Sequence, residues 1–232
     1  MIKGVMFDFD HTLYDRDATY EKILNSFLTY FADYLRKDVT EEEVLKTIQT
    51  CDRTGVYKAP HWEAIHTDTL DSGIFEKAPS YEVYYDGFIE KNYPQSIVPY
   101  DDAVPMLETL RAKGLKLGIL TNGPVDYQRE KVTRLGLDGY VDVVVVGDEL
   151  PHAKPHASAF HYVCQRMGCK PEETVYIGDH PINDVDGARK AGLTGVWFRS
   201  VGIWLDGIVP AEHAIEALGE LPRLIDEINA AR

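Results

Sequence analysis

Four consecutive valines, Val143 to Val146, close a run that begins at Val141 and is broken only by Asp142. A β-branched stretch with no polar alternation reads as a strand buried on both faces, which a sheet with one wet face does not call for. Four more short runs have the same character: Val5-Met6-Phe7, Leu115 to Leu120, Thr174 to Ile177 and Gly195 to Phe198. Helical patterns with readable boundaries lie between them. Asp101-Asp102 and Pro105 open one that Lys113-Gly114 closes; Asp126 to Leu135 ends at Gly136, and Ser158 to Met167 ends at Gly168. Strands alternating with helices pair in parallel through right-handed crossovers, with helices on both faces. The expected fold is α/β, a doubly wound parallel-sheet domain.

Residues 14–100 break that rhythm. No convincing strand appears there, and Ile23, Leu24, Phe27, Leu28, Phe31 and Leu35 recur at helical spacing. The stretch reads as an inserted, mainly helical domain, with Pro94 and Pro99 marking the return linker. The expected boundaries are 1–13 and 101–232 for the α/β core and 14–100 for the insertion.

Two hundred and thirty-two residues suffice to bury such a core without disulfide or metal staples. Against 24 basic residues stand 38 acidic ones, a net charge of −14. That field disfavours nucleic acid polymers and anionic membranes, yet a small phosphorylated molecule can bind beside a divalent cation that reverses the local sign. Runs such as Glu41-Glu42-Glu43 read as solvated helix surface. The cysteines, Cys51, Cys164 and Cys169, are odd in number and form no CxxC, which argues against a disulfide framework or a structural zinc site. With no signal peptide and no membrane-spanning apolar stretch, the expected location is a reducing cytoplasm.

Chemistry gathers where the strands end. Asp8-Phe9-Asp10-His11-Thr12-Leu13 follows the first run, at the carboxyl end of a strand where open α/β sheets bind ligands. Two carboxylates one residue apart repel unless a cation or a shared proton intervenes; taken alone, the same residues also suit a turn or helix cap. Thr121-Asn122 ends the second run and offers a hydroxyl and an amide to a phosphoryl group, though Thr-Asn-Gly is equally a turn sequence. Lys154 follows the third run and can balance carboxylate and phosphate charge; alone it is ordinary surface decoration. Gly178-Asp179 ends the fourth run, with Asn183 and Asp184 just beyond. Carboxylates from separate strand ends favour magnesium, a hard ion with oxygen ligands, while Asp184 by itself could simply cap the helix leading to Ala188.

In order, acid, hydroxyl, lysine and acid at four successive strand ends resemble the four signature motifs of the haloacid dehalogenase superfamily. The likeness covers residues 1–13 and 101–200. It implies a Rossmann-like core, and the helical insertion resembles the cap domain that one large subgroup carries there. By that resemblance Asp8 is the nucleophile that forms an aspartyl-phosphate, and Asp10 protonates the leaving oxygen and then activates water. It implies Mg2+ held by Asp8, the Asp10 backbone carbonyl and Asp179, with Asn183 and Asp184 orienting ligands or bound waters from behind. Thr121, Asn122 and Lys154 would hold the phosphoryl oxygens, Lys154 also restraining Asp8. Members that displace halide lack the acid two positions after the nucleophile; Asp10 therefore favours phosphate ester hydrolysis. The expected activity is that of a phosphatase on a small phosphorylated metabolite, a sugar phosphate or a nucleoside monophosphate.

Other features carry weaker signals. His11, His152, His156 and His180 lie near the expected mouth, His61 and His66 in the insertion; none has ligand or triad spacing. Ten of the fourteen tyrosines, with Trp62, fall in residues 14–100, and a helical core of amphipathic aromatics accounts for them. A stacking surface for substrate, drawn from Tyr14, Trp62, Tyr84 and Tyr85, is the sharper alternative. Val201 to Leu205 is apolar enough for an interface but is expected to lie against the domain; the oligomeric state stays open. A phosphomutase of the same family, returning the phosphoryl group to a sugar, is the alternative enzyme. A non-catalytic binding member would have lost Asp8 or Asp10, and both are present.

Overall fold

A computed structural model describes residues 1–55, 58, 60–200 and 203–232. They fall into two compact units, Met1–Asp15 with Pro99–Arg232, and Arg16–Val98.

The first unit is built on six strands: β1 (Gly4–Phe7), β2 (Lys116–Thr121), β3 (Val143–Val146), β4 (Thr174–Gly178), β5 (Thr194–Phe198) and β6 (His213–Ile215). Their order across the sheet is β3-β2-β1-β4-β5-β6, all parallel. The five apolar runs form the five expected strands. The sixth, three residues long, is too short to stand out as a pattern. Phe7 lies opposite Ile119 on one side and Ile177 on the other, so β1, β2 and β4 end level with one another. That register brings the residues after Phe7, around Thr121 and after Gly178 to one edge.

Successive side chains of a strand point to opposite faces. Met6, Leu120, Val143, Val145 and Tyr176 share the face covered by Ala159, Phe160, Val163, Cys164 and Met167 of a helix at Ala157–Met167. Val5, Phe7, Ile119 and Ile177, on alternate positions, are equally buried on the other face. Helix Ala103–Ala112 packs against β2 and against the helix Leu221–Ala230. Between β2 and β3 runs the helix Val125–Arg134. The last helix of the core was not read from the sequence, although its buried residues Leu221, Ile225 and Ile228 repeat at helical spacing.

The second unit is helical, as its apolar spacing predicts. Its main helices are Arg16–Tyr30, Glu41–Gly55, His61–Asp71 and a chain of turns from Tyr81 to Ser96. Ile23, Phe27 and Phe31 are buried, although the first helix stops at Tyr30 and Leu35 sits in an isolated antiparallel bridge to Phe75. Phe27, Phe31, Tyr84 and Phe88 pack ring on ring. Arg16 and Asp52, both buried, pair beneath Trp62 and Tyr93. Tyr84 is 1% and Trp62 7% exposed, so these two belong to the aromatic core. One linker expectation needs correcting: Pro94 lies inside the helix Glu90–Ser96 and is buried. A wide π-type turn at Tyr85–Ile89 precedes it, and helix is tolerated there without the proline N–H because buried apolar packing outweighs one lost ladder bond. Among the described residues no helix is long and apolar enough to cross a membrane.

Candidate active site

Asp8 begins where β1 ends; its N–H donates to Ile177 O at 2.8 Å, which holds it in the plane of the sheet. The residue is 6% exposed. Lys154 reaches it across the sheet edge, Nζ to Asp8 Oδ1 at 2.6 Å. The same ammonium donates to Asp184 Oδ1 at 2.7 Å and to the Tyr176 hydroxyl at 2.7 Å. An ammonium has three protons, and all three point at protein acceptors. Lys154 is thereby fixed as a strut between the first and fourth motifs, and a direct bond to a phosphoryl oxygen requires one of these to yield.

Asn122 explains how that strut is aimed. Its side-chain amide donates to Lys154 O at 2.9 Å and its Oδ1 accepts Lys154 N–H at 3.1 Å. The side chain thus clamps the backbone of Lys154, whose bond to Pro155 is cis. Gly147 makes room: a Cβ there would lie 2.6 Å from Asn122 Oδ1.

On the far side, Asp179 and Asp184 follow β4. A Cβ on Gly178 would fall 2.4 Å from the Asp184 carboxylate, so only glycine lets that group lie against the strand end. Asp184 does not cap the helical turn Pro181–Asp186. His180 does so, its Nδ1 accepting N–H bonds from Ile182 and Asn183 at 3.1 and 3.2 Å. Asp184 Oδ2 accepts the His180 N–H instead, at 2.9 Å. Burial holds the His180 imidazole below its usual pKa, in keeping with an acceptor Nδ1. Trp197 donates from its indole to Asp179 O at 3.0 Å, and Trp204 packs on that indole at 4.8 Å. Of the apolar stretch near Trp204, Val201 and Gly202 lie outside the described residues, and Ile203 is exposed.

Oxygens of Asp8, Asp179 and Asp184 all come within 4.8 Å of one another, and all three residues are buried. Burial first, then the Asp184 and Asp10 carboxylates against the opposing Lys154 ammonium, push the Asp8 carboxyl up to about 7. Burial alone would lower Lys154, but the Asp184 and Asp8 carboxylates hold it above its usual value. One ammonium facing a surplus of carboxylates leaves net negative charge among oxygen donors. A hard divalent cation fits such a donor set.

Asp10 has its own group of partners. Lys131 Nζ lies 2.5 Å from Oδ1, the Tyr14 hydroxyl bonds the same oxygen, and Gln128 Nε2 lies 2.6 Å from Oδ2. Gln128 Nε2 also reaches Thr121 Oγ1 at 2.6 Å and Asn122 O at 2.9 Å. Tyr14, weighed from the sequence as a stacking ring, is here a fully buried hydroxyl donor.

The structure therefore brings Asp8, Lys154, Asp179 and Asp184 into one cluster, with Asn122 bonded to the Lys154 backbone and Gln128 linking Asp10, Thr121 and Asn122. Asn183 is seen through its N–H on His180. Tyr176, Gln128, Lys131 and Trp197 were not read from the sequence. Tyr176 sits mid-strand like any core residue. Gln128 and Lys131 stand three apart on one helix face, a spacing that could have been tied to Thr121-Asn122 just upstream.

The model of the haloacid dehalogenase-like hydrolase family matches residues 5–198. The chain belongs to that family, and its curated relatives mark it as a phosphatase, a hydrolase of phosphoric monoesters. It is 34% identical over 206 residues to a glyceraldehyde 3-phosphate phosphatase of Methanopyrus kandleri, covering 86% of this chain and 84% of that protein. It is 30% identical over 242 residues to the human N-acylneuraminate-9-phosphatase, covering 98% and 95%. Among solved structures, a phosphatase of this family from Thermococcus onnurineus superposes with a TM-score of 0.64 at 29% identity, covering 97% and 98% of the two chains. YfnB of Bacillus subtilis, a hydrolase of the same fold, gives 0.74 at 22% identity over 97% and 99%.

Proposed function

We propose that this chain is a Mg2+-dependent phosphatase of small phosphorylated metabolites that works through an aspartyl-phosphate on Asp8. The carrying observation is the buried lysine strut, Lys154 bonded at once to Asp8 and Asp184 with Asp179 close by. An ordinary core has no use for four charged groups at one sheet edge, since burying each costs several kcal/mol, and a functional role is the reason to keep them. Asp8, the Asp10 carbonyl and Asp179 would hold the magnesium, with Asp184 and Asn183 behind them. When bound, the ion neutralises phosphoryl charge.

A carboxylate oxygen of Asp8 attacks phosphorus, the P–O bond to the alcohol breaks, and the departing oxygen takes a proton from Asp10. Water then attacks the same phosphorus, Asp10 removes its proton, and the Asp8 carboxylate leaves with inorganic phosphate as the product. Lys154 holds Asp8 in one rotamer through both steps, and Thr121 and the Asn122 backbone line the place of the phosphoryl oxygens. Relatives named for glyceraldehyde 3-phosphate and for N-acylneuraminate 9-phosphate favour sugar-type phosphates over nucleotides as substrates. Three buried free cysteines, Cys51, Cys164 and Cys169, suit a reducing cytoplasm.

The test is phosphate release from triose, hexose and sialic acid phosphates and nucleoside monophosphates, with and without magnesium, alongside Asp8→Asn. Release that needs magnesium and falls at least about 10³-fold in the variant is expected. Undiminished release by Asp8→Asn would remove the nucleophile from the reading; an isomerised sugar phosphate in place of free phosphate would make the enzyme a mutase.

A further inference from the structure

Lys131 is an odd residue to find where it is. Its side chain is 2% exposed, and its ammonium lies 5.3 Å from the centres of the Phe9 and Tyr14 rings and 4.8 Å from that of Tyr127. Burying a lysine among aromatic rings is unfavourable unless a partner compensates. A leucine or methionine would fill the same slot without that penalty. The partner is the Asp10 carboxylate at 2.5 Å, with the Tyr14 hydroxyl at 3.3 Å.

Gln128, three residues earlier on the same helix face and likewise 2% exposed, takes the other carboxylate oxygen at 2.6 Å. Its amide has two protons and three acceptors within reach, Asp10, Thr121 and Asn122 O, so its bonds are shared. Asp10, by contrast, keeps 23% of its side chain exposed. Both oxygens of that carboxylate are thus held from one helix while part of the group stays exposed. Proton transfer needs the donor oxygen within about 3 Å of the leaving group, and an aspartate in a turn has several rotamers that miss it.

We propose that Gln128 and Lys131 are positioning residues for Asp10, fixing the rotamer from which it serves the leaving oxygen and the attacking water, with Gln128 also tying that rotamer to Thr121. The proposal rests on Asp10 being the acid and base of the reaction. It adds two residues of a helix that contribute no ligand to the phosphoryl group.

The experiment compares wild type, Asp10→Asn, Lys131→Met, Gln128→Leu and Asp10→Asn/Lys131→Met on two magnesium-loaded substrates. One is glycerol 3-phosphate, whose alkoxide must be protonated; the other is p-nitrophenyl phosphate, whose phenolate leaves unaided. Phosphorylation rates are taken from the first turnover, kcat and KM from steady state, and folding from thermal unfolding. Methionine matches the lysine stem and suits the aromatic slot. Lys131→Met and Gln128→Leu are each expected to lower kcat on glycerol 3-phosphate about 10- to 100-fold, part of the 10²–10⁴ that acid–base catalysis supplies. KM should stay within about twofold, and first-turnover phenolate release should change much less. In the double variant, Lys131→Met should slow Asp10→Asn no further, because the group it positions is already gone.

Equal losses on both esters, or a full additional loss in the double variant, would overturn the proposal in favour of a merely structural role. If Lys131→Met does not fold, Gln128→Leu decides by the same comparison. Should Asp10→Asn itself spare glycerol 3-phosphate, the acid–base reading falls. Should Asp10→Asn show the selective loss while Lys131→Met and Gln128→Leu do not, the reading stands and the positioning proposal alone fails.

Discussion

His11 takes a left-handed φ of +58° directly after Asp10, where the chain leaves β1 and doubles back so that Thr12 and Leu13 can donate to Phe9 O. Histidine and asparagine tolerate this region better than most residues, and a β-branched side chain does not. Replacing His11 by Ile should therefore destabilise the protein by about 2 kcal/mol more than replacing it by Asn, read as the difference between their urea midpoints at equal slope. Equal midpoints would mean that the turn relaxes. The same turn shows what a sequence reveals of single residues. Asp8 and Asp10 announce themselves by type and spacing, because two acids separated by a single residue at a strand end need an explanation. Their partners do so less readily: Lys154 is picked out only through the order of the four strand-end clusters, and Lys131 not at all. Lys154 is bonded to Asp8 across 146 positions and Lys131 to Asp10 across 121, and nothing local in the chain marks either lysine as buried.

At the scale of elements, strand β2 is anchored at its start by an acid from outside the strand. Asp142 accepts the Leu117 N–H at 2.8 Å and Lys116 Nζ at 3.0 Å. Although partial burial works the other way, the Leu117 N–H and Lys116 hold its carboxyl below the ordinary aspartate range. A depressed carboxyl contributes stability that is complete above the unfolded-state pKa of about 3.9 and is lost as pH falls through the lower folded-state value. Asp142→Asn should therefore flatten the loss of stability below about pH 4 and leave the neutral-pH slope unchanged, as checked by denaturant midpoints across pH. Its side chain is 39% exposed, so salt should weaken the effect. A variant with the same acid limb as wild type would show that the bond to Leu117 does not distinguish the two protonation states. Strands and helices of this domain were legible because apolar runs and capping residues are local signals. The short β6 and the helical Pro94 were not, since three residues carry no period and a proline reads as a break until its packing is known.

For the whole molecule, the carboxylate cluster sets a balance between charge and stability. Asp8, Asp179 and Asp184 are brought together by folding, so a cation that binds them stabilises the native state alone. Magnesium at 100 times its Kd should add about 2.7 kcal/mol and raise Tm by about 5–10 °C. Asp179→Asn should abolish that rise, and calorimetry with magnesium or with EDTA reads both; an equal rise in the variant would place the ion elsewhere. By itself the sequence determined a parallel α/β core with a helical insertion, and an order of polar residues at four strand ends that resembles a family of phosphatases, because strand pattern, turn residues and side-chain type are properties of short segments. Only the tertiary structure decided which groups touch: that Asn122 clamps the backbone of Lys154, that His180 rather than Asp184 caps its turn, and that Gln128 and Lys131 hold Asp10. The last of these contacts spans more than a hundred positions of the chain, and it becomes possible because β1 is seated in register between β2 and β4.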